Sequence, residues 1–204
     1  EGRPVAGAVI KTETVFVPTS GDLSSWIGEL KTIRGKGPYD GNDEMPFYEV
    51  TRTTGADGRF RIEGAGRERI VQFTVSGPTV EVTRGFAMTK ETPAVTAPNP
   101  QITAPDTIRY HDSRFEYASA PCKPVEGVVR DQDTGAPLAG IQVNGMAFDP
   151  NSSAYYHEVV SITDDQGRYR LAGMARSDRY HLFLSPGKGQ PYPSANFVER
   201  ADSP

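Results

Sequence analysis

Apolar residues in this chain come in short runs that alternate with polar ones, and they are bounded by Gly, Pro, Asp and Asn. That is the spacing of strands exposed on one face; long helical periodicity is missing. In GADGRFRIEG, Gly55 to Gly64, alternation puts Phe60 and Ile62 on one face and Arg59, Arg61 and Glu63 on the other. DDQGRYRLAG, Asp164 to Gly173, places Tyr169 and Leu171 in the same way against Arg168 and Arg170. Each segment reads as a half-buried strand launched by an acidic glycine turn and ended by Gly64 or Gly173, so Phe60, Ile62, Tyr169 and Leu171 are expected to be largely buried. In YHLFL, Tyr180, Leu182 and Leu184 share one face, and His181 lies with Phe183 on the other. One short helix is predicted, capped by Asp22 or Ser24 and running through Trp26, Ile27 and Leu30.

The two decapeptides belong to a longer repeat. GRPVAGAVI, Gly2 to Ile10, precedes the first, and GAPLAGIQV, Gly135 to Val143, precedes the second. Pro4 and Pro137 preset φ at a turn, while Gly7 and Gly140 permit an unusual angle just before the strand. Downstream, RIVQFTV at Arg69 to Val75 matches RYHLFLS at Arg179 to Ser185. Gly7 and Gly58 are 51 positions apart, Gly140 and Gly167 only 27, so the first copy carries an insertion over residues 15–50. The second copy opens with a strand and turn, VEGVVRDQDTG, that has no counterpart ahead of the first. Two domains are therefore expected, 1–120 and 121–204. The first is read as lacking its initial strand, which a longer protein would supply, and as ending in an extension or linker over 83–120. IRYHDSRFEYAS within that region is expected to pack on the first domain and close its sandwich.

Bulk properties narrow the functions. With 22 basic and 26 acidic residues the net charge is -4, and no basic block or paired-cysteine pattern points to nucleic acid. No run approaches the roughly 18 apolar residues of a membrane-spanning helix. Cys122 is the single cysteine and excludes an internal disulfide; its SAPCKP setting reads as a turn or domain joint.

The pattern VEGVVRDQDTGAPLAGIQV, then ITDDQGRYRLAG, then YHLFLSPG, resembles a carboxypeptidase regulatory-like domain, of the transthyretin-like or prealbumin-like group near collagen-adhesin B-type repeats. The resemblance covers Val125 to about Ser194 well, and Gly2 to about Val82 less fully. It implies an all-β chain of two tandem Greek-key sandwiches, and an extracytoplasmic bacterial protein in which such modules serve as spacers or binding modules. Pro4, Gly7, Gly58, Phe60, Ile62, Pro137, Gly140, Gly167, Tyr169 and Leu171 are its fold signature. Collagen-adhesin repeats often carry a Lys–Asn isopeptide bond; none is expected here, because Arg130 ends the first strand of the second copy and Lys11 matches Asn144.

No catalytic constellation emerges. A nucleophile elbow, a metalloprotease helix and a phosphate loop are all missing. The turns GRPVAGA and GADGRF also resemble those of intradiol dioxygenases, iron enzymes that use two tyrosines and two histidines. The chain holds only His111, His157 and His181, and lacks that family's later histidine motif. The expectation is no enzyme, no cofactor and no metal: the copies disagree at the carboxylates a calcium ion would require, Gly55 standing against Asp164 and Asp57 against Gln166. What remains is a non-catalytic module whose partners are other domains of a longer chain and a protein or, as the alternative, a glycan. Candidate binding aromatics are Trp26, Tyr39, Phe47 and Tyr48 in the insertion, and Tyr155, Tyr156, Tyr192 and Phe197 in the second copy. For Trp26 the favoured expectation is burial, with the insertion folded back over the sheet.

Overall fold

The computed structural model describes residues 2–32, 42–44, 48–98, 107–147 and 158–200. Apart from one ten-residue helix, the regular structure among them is β, as expected. The chain divides into two compact units, Glu1–Ser76 with Thr83–Ser119, and Gly77–Val82 with Ala120–Pro204.

In the first unit, the long strand β1 (Val9–Pro18) pairs with β3 (Thr51–Thr53) through its first half and with β2 (Asn42–Glu44) through its second. Its other side carries β4 (Ile70–Ser76), followed in the sheet by β5 (Thr83–Met88), β7 (Thr107–His111) and β6 (Val95–Pro98). All pairings are antiparallel except β5 with β7. One face packs Ile10, Phe73 and Val75 against Phe60, Ile62, Phe115 and Tyr117. The other packs Phe16, Ile70, Phe86, Met88 and Tyr110 against helix α1 (Leu23–Thr32), through Leu23, Trp26 and Leu30. Asp22 supplies the cap: Ser25 donates its N–H to Asp22 Oδ1 at 2.9 Å and its hydroxyl to Oδ2 at 2.8 Å. The next orphan amide, Leu23 N–H, donates to Glu68 at 2.9 Å. Glu68 adopts φ 52°, a left-handed conformation unusual without glycine, and its carboxylate also pairs with Lys90 at 2.9 Å.

The stretch from Thr83, expected as an extension or linker, begins with an interior strand. Thr83, Gly85 and Ala87 face the Phe73 side and Arg84, Phe86 and Met88 the helix side. Small residues at Gly85 and Ala87 concealed the alternation, and the fold requires the glycine: a Cβ on Gly85 would stand 2.4 Å from the Phe73 ring.

In the second unit, β10 (Val159–Ile162), β9 (Gln142–Ala147), β12 (Arg179–Ser185) and β13 (Ala195–Arg200) form one sheet in that order. A separate pair joins β11 (Arg168–Leu171) to β8 (Val125–Val128), with Tyr169 opposite Gly127 and Leu171 opposite Val125. Val143, Leu182, Tyr180, Leu171 and Met174 fill the space between. Gly145 is required in this core, because a Cβ there would stand 2.5 Å from Leu171 Cδ1.

The ladders shift the repeat alignment by one position downstream. Val75 lies opposite Ile10 as Leu184 lies opposite Val143, so Phe73 is the counterpart of Leu182 and not of Phe183. Burial decides the match, and the similar letters of the two stretches mislead.

Two expectations about the decapeptides are corrected. Leu171 is fully buried, but Phe60, Ile62 and Tyr169 are only half-buried. Arg59–Glu63 is not a strand, whereas its counterpart β11 is. The reason is pairing: β11 has β8 beside it, and the first copy has no described strand in that place.

Candidate functional site

The repeated turn is the first candidate, because it gathers carboxylates. In the second unit Asp164 Oδ1 accepts the N–H groups of Gln166 and Arg168, both at 2.9 Å. In the first unit Gly55 stands in that place and Asp57 does part of the work, accepting Arg59 N–H at 3.1 Å. Both turns close alike, with Gly58 N–H on Gly55 O at 2.9 Å and Gly167 N–H on Asp164 O at 2.8 Å. The third acidic turn is the same in kind: Asp131 Oδ1 accepts from the Asp133 and Thr134 amides and the Thr134 hydroxyl. Those bonds, the Thr134 hydroxyl first, hold its carboxyl below the usual range. The carboxylates are therefore engaged in shaping the turns. Among the described residues no three His, Cys, Asp or Glu side chains gather as a metal site would require.

Behind each turn lies a threonine that sequence reasoning missed. Thr54 donates its hydroxyl to Val5 O at 2.6 Å and accepts Ala8 N–H at 2.9 Å. Thr163 donates to Leu138 O at 2.7 Å and accepts Ile141 N–H at 2.9 Å. Each buried hydroxyl ties the Gly-x-Pro turn to the acidic turn. The pairing was legible only as a Thr at one position of TTGADG and ITDDQG.

The candidate aromatics among the described residues do not assemble within either unit. Trp26 is 2% exposed, so it is removed from the binding surface; its ring meets Tyr110 under α1. Tyr48 is half-buried and donates its hydroxyl to Glu63 O at 2.6 Å, and burial raises its pKa. Tyr192 is half-buried; desolvation first, then a hydrogen bond to Asp131, raises its pKa. Phe197, 37% exposed, lies on the rim strand β13 opposite Leu182. Tyr39, Phe47, Tyr155 and Tyr156 lie outside the described residues, as does His157. Of the other histidines, His111 stacks on Phe115 at 4.6 Å in the first unit, and the His181 ring lies tilted beside Phe183 at 4.2 Å in the second.

What does stand open is the outer face of the four-stranded sheet. Val160 and Ile162 on β10 and Val198 on β13 are 52%, 66% and 60% exposed. Register sets Val160 beside Asn144, then Phe183 and Asn196, and Met146 beside His181 and Val198. Aliphatic residues flank a strip of half-buried Asn144, His181 and Phe183 on a face that the core cluster of the described residues does not include. The signal was present in VVSI and NFVE, where adjacent apolar residues put one on each face of a strand. An open depression in the same unit is lined by Cys122, Lys123, Pro124, Arg176, Ser177 and Asp178. Cys122 Sγ is 3.6 Å from Pro78 O there.

No protein-family model matches the chain, and no curated protein matches it. Among solved structures it is similar to the shaft pilin SpaA from Lactobacillus rhamnosus GG, with 15% identity over 98% of this chain and 85% of that one and a TM-score of 0.33. A single-site mutant of that pilin aligns with the same identity and TM-score over 82% of its length.

Proposed function

We propose that the chain is a non-catalytic pair of β-modules within a larger extracytoplasmic bacterial protein, serving as a spacer that also binds a protein partner. The observation that carries this reading is the aliphatic outer face of the second unit, with Val160, Ile162 and Val198 all more than half exposed. Branched aliphatic side chains held on a rigid sheet suit a protein surface. A sugar ring would favour open aromatic platforms, and Trp26 is buried while the Tyr48 and Tyr192 hydroxyls are engaged within the protein. The engaged turn carboxylates favour a structural role for the acidic repeats over ion binding.

A photo-crosslinking amino acid at position 160, set against one at exposed Gln132, tests the proposal in the parent protein on cells. The reading expects discrete protein adducts at 160, lost with Ile162→Lys, and none at 132. Equal labelling at both positions, or glycan-array binding by the purified chain that survives Ile162→Lys, would count against it.

A further inference from the structure

The two copies share a turn but not its neighbour. In the second unit β8 lies antiparallel to β11, with Gly127 beneath the Tyr169 ring; a Cβ on Gly127 would stand 2.6 Å from the Tyr169 hydroxyl oxygen. In the first unit Arg59–Glu63 follows the same turn, yet among the described residues the amides of Phe60, Arg61, Ile62 and Glu63 donate no hydrogen bond. Phe115 contacts Phe60 edge-on at 6.0 Å and both Phe115 and Tyr117 pack on Phe73, so the side chains are partly covered while these four amides have no acceptor among the described residues, the Glu63 carbonyl alone being engaged, by the Tyr48 hydroxyl. An unpaired row of amides beside half-buried apolar side chains is a template for one more strand.

The chain path indicates the source of that strand. Gly2 and Gly135 both have φ 72°, and Gly7 and Gly140 both have φ 73°. Gly58 is seated against Pro4 as Gly167 is against Pro137. In the second copy the polypeptide reaches Gly135 directly from β8, by way of the Asp131 turn. We propose that Phe60–Glu63 is an acceptor edge for an extended segment of the β8 type, valine alternating with a small residue, supplied by the polypeptide that leads into Gly2. That strand would run antiparallel to Arg59–Glu63, with its small residue opposite Phe60 and an apolar residue opposite Ile62, as Gly127 and Val125 stand to Tyr169 and Leu171.

Amide hydrogen exchange on two fusion proteins tests this. One carries the sequence of residues 123–133 joined ahead of residue 1; the other carries the same extension with aspartate in place of the residues taken from Val125 and Val129. Trp26 emission verifies that each keeps the native fold. The first extension is expected to slow exchange of Phe60–Glu63 at least ~10-fold relative to the unextended chain, and the aspartate form to leave it unchanged. The proposal fails if the unextended chain already protects Phe60–Glu63 as strongly as Tyr169–Leu171, or if neither or both extensions protect. Protection by a free 123–133 peptide but not by the fused one would overturn the assignment to the preceding polypeptide and indicate a strand from another molecule.

Discussion

Trp26 meets Tyr110 edge-on, with ring centroids 5.0 Å apart and planes at 87°. The contact fastens the insertion of the first unit to its sheet, because Trp26 projects from α1 and Tyr110 from β7. It also leaves the indole Nε1 buried without a hydrogen-bond partner. The side chain therefore contributes apolar surface and ring packing, and its N–H contributes nothing.

Trp26→Phe should accordingly be mild, while Trp26→Ala should destabilise the first unit by about 3–5 kcal/mol through the cavity it opens. Urea unfolding followed by circular dichroism checks both. Equal losses for the two variants would mean that the indole N–H has a role that this packing does not give it.

The hydroxyls of Thr54 and Thr163 each join two turns, so replacing either by valine keeps the shape and strands a buried carbonyl and amide. Each substitution should cost about 1–3 kcal/mol. The measurement is thermal unfolding of the two single variants, and a change within error at both sites would remove the hydroxyls from the account.

Glycine at the repeated turn is required twice over. Gly7→Ala meets only open space and incurs the strain of φ 73°, about 1 kcal/mol. Gly167→Ala has similar strain at φ 71°, and its Cβ would stand 2.5 Å from Val129 O. Gly58→Ala falls between, since the nearest atom is Pro4 Cβ at 3.0 Å. The expected order of destabilisation is Gly167, Gly58, Gly7, measured as denaturation midpoints; a larger loss at Gly7 than at Gly167 would contradict it.

His111 titrates below its ordinary 6.5, first because burial disfavours the imidazolium and then because Arg109 repels it; Asp112 opposes both. As pH falls through 6.5 the unfolded chain takes up the proton before the folded one does. Stability of the first unit is therefore lost from about pH 6.5 downward until the folded value is reached. The carboxyls of Glu68 and Asp22, held below 4.5 and 3.8, lose their contributions only at lower pH. Replacing His111 with phenylalanine should flatten the dependence just below pH 6.5 and leave the acid limb. A proton-resonance titration placing the His111 midpoint above 6.5 would reverse the sign.

Legibility in the sequence followed how local each cause is. The glycine turns, the alternation around Leu171 and Leu182 and the Asp22 cap depend on neighbouring residues, and each could be read from a few letters. The helix through Trp26, Ile27 and Leu30 was legible from its spacing, and Trp26 is buried as the folding of the insertion over the sheet would have it. Other features depend on residues far apart in the chain. Gly85 and Ala87 look like linker until Phe73 is seen lying over them, and Thr54 looks like an ordinary turn threonine until Val5 and Ala8 face it. Arg59–Glu63 has the letters of a strand, but a strand also requires a partner, and period-two alternation cannot report one. Exposure of Val160 and Ile162 is not legible from VVSI alone, because its apolar residues fall on both faces and alternation does not say which face is covered.

The repeated decapeptide acts as a structural joint whose two copies differ in strand pairing. Residue-resolved hydrogen exchange on the intact 204-residue chain tests it most directly, since each copy serves as the other's control. Arg168–Leu171, paired with β8, should be protected, and Phe60–Glu63 should exchange much faster in the same sample, with neither changed by calcium. Equal protection of the two segments would mean that Phe60–Glu63 is paired as β11 is, and a calcium-dependent slowing at either turn would make it an ion site.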